Sequence, residues 1–260
     1  MRRANIFWGG ALILFGVLFL LQTQGLINNV FRLFWPLIFI LIGGWMIVNV
    51  YWKPSLSERE TFSIALGGAK SVKYKFAHGA AQIDITGGAP AGQAVVGASA
   101  AGMNHQSHLN GDRLDVKIDA GPSLIPFLGP ADGVWRYQLT QAVPVTLKIE
   151  AGASKLDIDL KDVLATHIEL ATGASSVNMT LPARGASLLD VEAGAASINL
   201  HVPDATAARI RVKSGVTALN VDMHRFPQLD SGIYQSPDFD TSPNRTEIVV
   251  EAGLGSITVK

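Results

Sequence analysis

A pair of histidines is the first candidate in this sequence for binding a metal ion. His105 and His108 are the only close pair, three residues apart. A structural zinc site needs four ligands with fixed spacing, and no third ligand lies nearby in sequence. The pair lies among Gly102, Asn104 and Asn110, which predicts a loop, so we expect no metal site. His78, His167, His201 and His224 are scattered, and we expect them to be solvated near strand ends.

Serines and carboxylates also fail to form a catalytic pattern. Gly-Ala-Ser occurs at residues 152–154, 173–175 and 185–187, but a nucleophile elbow requires G-x-S-x-G between a strand and a helix. The run from Gly67 to Ser71 lacks the spacing of a phosphate-binding loop. Asp157 and Asp159 form a weak acid pair without a predicted cleft. We therefore predict a non-enzymatic protein without a cofactor.

Two of these serines, Ser154 and Ser175, belong instead to a repeat. Glycines at 152, 173, 194 and 215 are each 21 residues apart, and the positions around them match in register. Apolar residues lie three and five positions before each glycine and four and six positions after it, so each unit contains two short alternating strands joined at a corner. A period near 20 with one strand pair per unit is typical of a β-solenoid.

Stacking of consecutive units predicts two columns of outward side chains. Five residues after each glycine the column contains Asp157, Asn178, Asn199 and Asn220, whose amides could form a hydrogen-bonded ladder. Four residues before each glycine it contains Lys148, Glu169, Asp190 and Arg211, with opposite charges at the outer neighbours. We interpret both columns as solvated strand faces.

The repeat continues at Gly79 and Gly253, with the same apolar offsets. The β-solenoid is thus predicted for residues 61–260, with an irregular section at 86–142 and an excursion at 223–244. Strands are expected at 93–98, 113–118, 134–140 and 143–150, and Asn110-Gly111-Asp112 suits a hairpin turn. End cap and irregular rungs are both compatible with this section.

The excursion combines apolar side chains with prolines and acidic residues. We consider Phe226, Ile233, Tyr234 and Phe239 either as a cover over one end of the stack or as a partner-contact surface.

The first 52 residues have the composition of a membrane segment. Their charged side chains are Arg2, Arg3 and Arg32. Two uncharged runs, at 6–27 and 33–51, predict spans at about 6–27 and 31–51, because a helix needs ~20 residues to cross the hydrocarbon core. We predict a transmembrane helical hairpin at 1–52 and a linker at 53–60. A cleaved signal peptide is the competing interpretation of the first run.

Charge distribution predicts the orientation and excludes one class of partner. Arg2, Arg3, Lys53 and Arg59 flank the hairpin, which places both termini in the cytoplasm by the positive-inside rule. Residues from Lys53 onward contain 18 of the 21 basic residues and all 21 acidic residues. This balance excludes a broad basic surface for nucleic acid.

Short motifs in both parts resemble a bacterial family. The pieces Phe7-Trp8-Gly9-Gly10, Phe34-Trp35-Pro36-Leu37 and Leu41-Ile42-Gly43-Gly44 resemble the LiaI–LiaF-like transmembrane region. The repeated Gly-Ala-Ser rungs resemble the toast-rack or adhesin-type β-helix domain, related to the C-terminal domain of LiaF. The resemblance implies a membrane component that restrains an envelope-stress histidine kinase. It implies no catalytic residues.

These observations predict a two-helix transmembrane hairpin followed by an all-β, single-chain β-solenoid. The leading functional hypothesis is an interaction or sensing module in the bacterial response to cell-wall antibiotics. Its partners would be the lipid bilayer and a sensor histidine kinase or another envelope protein, and homo-oligomer formation is left open. The alternative hypothesis is an extracellular adhesin-like or structural module at the cell surface.

Overall fold

The computed structural model describes residues 19–20, 22–24, 39, 60–99, 103–120 and 134–260. The predicted transmembrane hairpin lies almost wholly outside these residues. Among the described residues, no helix has both the length and the apolar character needed to cross a membrane.

Strands dominate the described residues from 60 onward. They are β1 (Glu60–Ala65), β2 (Ser71–Gly87), β3 (Gln93–Ser99), β4 (Met103–Asn110), β5 (Arg113–Ala120), β6 (Val134–Leu139), β7 (Val145–Asp159), β8 (Ala165–Thr180), β9 (Ala186–His201), β10 (Ala207–Val221), β11 (Gln228–Asp230), β12 (Ile233–Gln235) and β13 (Arg245–Val259).

Six of these strands are long and form the body of the fold. β2, β7, β8, β9, β13 and β10 lie side by side in that order, and all neighbours in this series are parallel. Each of them carries one repeat glycine between its two halves, and the glycines occupy the same register position. The predicted parallel stack with rungs of about 21 residues is therefore present, and it is consistent with a β-solenoid.

The order of the rungs differs from the order in the sequence. β13 lies between β9 and β10: Ile257 pairs with Ile198 on one side and with Leu219 on the other. The prediction that consecutive units stack directly is wrong at this step. All rungs have the same apolar pattern, so this pattern is compatible with either order of stacking. The excursion after β10 gives the chain enough length to return to the slot beside β9.

One end of the stack combines an interrupted rung with antiparallel strands. β5 pairs with the first half of β2 and β6 with its second half, so the two strands together replace a rung. β4 then extends β5, while β3 and β1 extend β6, all in antiparallel pairing. The predicted hairpin turn is confirmed, since Asn110 pairs with Arg113 and Gly111 has a φ of 59°. The irregular section thus provides both a rung and a cap.

At the other end, the excursion folds back onto β10. β12 pairs antiparallel with Arg209–Arg211 of β10, and β11 pairs with β12.

The interior is filled by the apolar positions of the repeat. Ile149, Leu170 and Val191 represent the column before the glycine, and Leu156, Val177 and Ile198 the column after it; each is at most 1 % exposed. Short connections close the rungs and add buried side chains of their own, such as Leu160, Leu181 and Val202. Burial of about 25 cal/mol per Å² of apolar surface is the main stabilising contribution to such a stack.

Candidate interaction surfaces

The first halves of the long strands present a charged face. Lys148 of β7 donates to Glu169 of β8 at 2.9 Å, as the sequence pattern predicted. This contact lowers the pKa of Glu169 and raises that of Lys148. The next step of the predicted column is different, because Val249 of β13 lies between Asp190 and Arg211. The predicted pairing of Asp190 with Arg211 is therefore wrong.

Charge is distributed in bands along this face. Lys73 and Lys75 on β2 begin a basic band, whereas β8, β9 and β13 present mainly carboxylates, namely Glu169, Asp190, Glu192, Glu247 and Glu251. β10 then restores positive charge, with Arg211 bonded to Glu247 at 2.5 Å and Lys213 to Glu251 at 2.9 Å. A partner that binds here would have to present a complementary series of charges.

The second halves present a polar face with less charge. Asn178 donates to Asp157 at 2.8 Å and Asn199 donates to Asn178 at 3.1 Å, so the predicted amide ladder is confirmed over three rungs. The contact with Asn178 lowers the pKa of Asp157. Thr258 of β13 then separates Asn199 from Asn220, so the fourth predicted member is not the next in line.

A shallow groove runs across the rungs at the glycine corners. Gly79, Gly152, Gly173, Gly194 and Gly253 form its floor, and side chains such as Glu150, Glu192 and Lys213 line it. Four of these glycines, all except Gly79, are required by close approach of the backbones. A Cβ on Gly152 would lie 2.7 Å from the carbonyl oxygen of Gly79, and a Cβ on Gly194 would lie 3.0 Å from that of Gly173.

The four predicted partner-contact residues lie on the excursion at the β10 end of the stack. Phe226, Tyr234 and Phe239 are buried, whereas Ile233 is half-buried. Phe239 lies under the guanidinium of Arg209, which is 4.3 Å from the ring centroid. This burial is the arrangement that a cover requires. The partner-contact hypothesis for the four residues stays a prediction.

A buried histidine is the feature that sequence reasoning missed. We expected His78 to be solvated, but it is 6 % exposed, and its Nε2 lies 2.8 Å from the hydroxyl of Tyr137. Trp135 contacts the imidazole edge to face, with centroids 4.9 Å apart. Burial lowers the pKa of His78 to about 4. The signal in the sequence was its register, since His78 occupies the inward column immediately before the corner glycine.

The other candidate residues are not brought together into a chemical site. His105 and His108 lie on exposed strand β4, so the predicted loop is wrong, and the ring of His105 stacks on Phe62 with centroids 4.6 Å apart. Ser154 and Ser175 recur at the corners of adjacent rungs. Within the described part of the chain, His, Asp and Glu form no cluster that could hold a metal ion.

The described strands and their surfaces define a parallel β-stack protein with regular charged and polar strand faces. The chain belongs to the toast-rack family: the family profile described as the N-terminal domain of toast_rack, DUF2154, matches residues 53–188. A second profile, the LiaI–LiaF-like transmembrane region, matches residues 6–47. The protein is therefore a membrane-anchored β-helix module.

Two solved structures are similar to this chain. A "putative cell adhesion protein" from Clostridium sporogenes ATCC 15579 is 18 % identical, with a TM-score of 0.69, and the match covers 78 % of this chain and 98 % of that one. This likeness shows the fold. A "putative adhesin" from Bacteroides fragilis NCTC 9343 is 8 % identical over the same shares of both chains, with a TM-score of 0.28. No protein of curated function matches the chain.

Proposed function

We propose that this protein is a non-enzymatic, multi-pass membrane protein whose β-solenoid serves as an interaction or sensing module in the bacterial envelope-stress response. The observation that carries the proposal is the combination, in one chain, of a LiaI–LiaF-like transmembrane region with a toast-rack stack. The rigid strand faces support it, because regular charged and polar columns suit recognition of an extended protein surface.

The proposal includes a division of the chain and an orientation. Residues 1–52 would form a transmembrane hairpin, 53–60 a linker, and the rest the solenoid, with both termini in the cytoplasm. The partner would be a sensor histidine kinase or another envelope protein.

Partner capture tests the role in signalling. The full chain would be purified from native membranes of cells grown with and without a cell-wall antibiotic, and co-purifying proteins identified by mass spectrometry. We expect an envelope-stress kinase or a functionally linked envelope protein. A variant with Asp190→Lys and Glu192→Lys on the charged face should lose it, whereas the matched variant Asn199→Lys on the polar face should keep it. Absence of any envelope partner under all conditions would reject the role.

The second candidate function is an adhesin-like module outside the membrane, which the name of the similar Clostridium sporogenes protein favours. The chain has no cysteine, so one introduced thiol reports the location without background. Asp230 is exposed on the excursion, and Asp230→Cys can be treated with a membrane-impermeant maleimide. Labelling only after permeabilisation supports the cytoplasmic location. Labelling in intact cells would support the adhesin-like alternative.

The excursion gives a separate test of the partner-contact hypothesis. Deleting Gly232–Ser242 removes β12 from the edge of β10 together with buried Tyr234 and Phe239. If the segment is a cover, the variant should melt at a lower temperature or aggregate. If it is a contact surface, the variant should keep its melting temperature and lose its partner. The point variant Ile233→Asp changes a half-buried side chain and provides a milder form of the same comparison.

A further inference from the structure

The second half of β10 is an open strand edge at one end of the stack. On one side, Val216–Val221 pairs with β13. On the other side, the described strand β12 pairs with Arg209–Arg211, and the excursion's backbone hydrogen bond furthest along β10 runs from Val212 N–H to the carbonyl of Gly232. Within the described ranges, no strand pairs with residues 216–221 on that side. Their outward-directed N–H and C=O groups are therefore available for another strand.

The edge carries none of the usual protection against pairing. Residues 216–221 are Val, Thr, Ala, Leu, Asn and Val, without a charge, a proline or a glycine. Natural edges are normally blocked by lysine, proline or a bulge. At the opposite end of the stack, by contrast, the antiparallel strands β1, β3 and β4 cover the interrupted rung.

Two exposed apolar side chains lie near this edge. Met223, two residues after its end, is 58 % exposed. Leu254, which pairs with Val216 at its beginning, is 55 % exposed. In the described residues from 60 onward, these are two of only four large hydrophobic side chains with such exposure, the others being Leu109 and Leu229. Leu254 lies on the neighbouring strand β13, so Met223 is the exposed apolar side chain beside the open edge itself.

We propose that the occupant is the same edge of a second copy of this chain, paired antiparallel about a twofold axis. Antiparallel pairing brings the end of one strand to the beginning of the other, so Met223 of each copy approaches the beginning of its partner's edge, one strand away from Leu254.

The register of this pairing follows from the alternation of inward and outward side chains along β10. Ala218 and Asn220 are exposed, whereas Leu219 and Val221 face inward. Residues directly opposite each other in an antiparallel pair have their side chains on the same side of the sheet. A residue with an outward side chain must therefore pair with another outward residue. Placing Asn220 opposite Asn220 meets this condition and gives each amide a like partner, as between Asn178 and Asn199 inside the stack. It also joins Leu219 of one copy with Val221 of the other.

The membrane anchor favours the second copy over a soluble partner. Two copies held in one bilayer are confined to a thin layer, which raises their effective concentration and allows a small contact to form. This inference concerns self-association and does not depend on the proposed signalling role.

Thiol cross-linking of the full chain in native membranes tests the proposal. The cysteine-free chain would carry Asn220→Cys and be treated with a short thiol-to-thiol cross-linker. We expect a covalent homodimer, because side chains directly opposite in an antiparallel pair have Cβ atoms ~4.5–5.5 Å apart. The matched control is Asn178→Cys, which is exposed in the same column but lies on an interior rung. It should stay monomeric.

A blocking variant separates pairing from random collision. Ala218→Lys, added to Asn220→Cys, changes an exposed side chain and places a lysine on the edge, so the dimer band should be lost while the melting temperature is kept. Three results would overturn the proposal: no dimer with Asn220→Cys, equal dimer yields for both cysteine positions, or a cross-linked product that contains a different protein. Persistence of the dimer in the lysine variant would also contradict edge pairing.

Discussion

Ile198→Asp tests the assignment of inward and outward faces on which the whole description of the stack depends. Ile198 is fully buried in a middle rung, between Val177 of β8 and Ile257 of β13. Removing a large buried aliphatic side chain costs about 2–5 kcal/mol. A polar group left buried without a partner adds about 1–3 kcal/mol. The variant should therefore lose about 3–8 kcal/mol, which is a large part of the ~5–15 kcal/mol that stabilises a typical domain.

Asn199→Asp, one residue further on, is the matched control. Asn199 is half-buried on the outer face and donates one hydrogen bond to Asn178. Losing it should cost about 1 kcal/mol. Thermal unfolding of the full chain in detergent, followed by circular dichroism, measures both variants. For a domain of this size about 1 kcal/mol shifts the melting temperature by ~2–4 °C, so Ile198→Asp should melt at least about 6 °C lower or fail to fold. Equal shifts in melting temperature for the two variants would refute the assignment of Ile198 to the inward face and Asn199 to the outward face.

Two further predictions concern the corner and the buried histidine. Gly152→Ala should destabilise the stack by about 1–3 kcal/mol, because its Cβ would lie 2.7 Å from the carbonyl oxygen of Gly79, whereas Gly79→Ala meets nothing within 4 Å and should be neutral in the same melting assay. His78 is buried with a lowered pKa, so the unfolded chain binds its proton more readily; stability should fall between pH 6.5 and about pH 4, by up to about 3 kcal/mol. Denaturant unfolding should show a smaller loss over this pH range in His78→Gln, and an unchanged pH dependence would contradict the burial.

Surfaces and fold were predictable to different degrees. The period of 21 residues, the glycine corners and the alternation of apolar positions were sufficient to predict the parallel rungs, because a side chain's facing in a strand is fixed by its position in the sequence. The Asn178–Asn199 ladder and the ion pair of Lys148 with Glu169 followed from the same register. The position of a residue in a column did not predict which residue would be the next neighbour after the β9 member of that column.

The sequence by itself determined the inward and outward pattern of each rung. The tertiary structure decided the order of the rungs and which strand edge at the end of the described stack stays unpaired. Every unit carries the same pattern of apolar residues, so β13 fits beside β9 as well as beside β10, and only the closed stack places it between them. That insertion interrupts the predicted columns and leaves the second half of β10 as an edge. His78 likewise became a buried residue only when β6 brought Trp135 and Tyr137 against it. Local periodicity fixes which face a side chain takes, whereas long-range packing fixes which neighbour it meets.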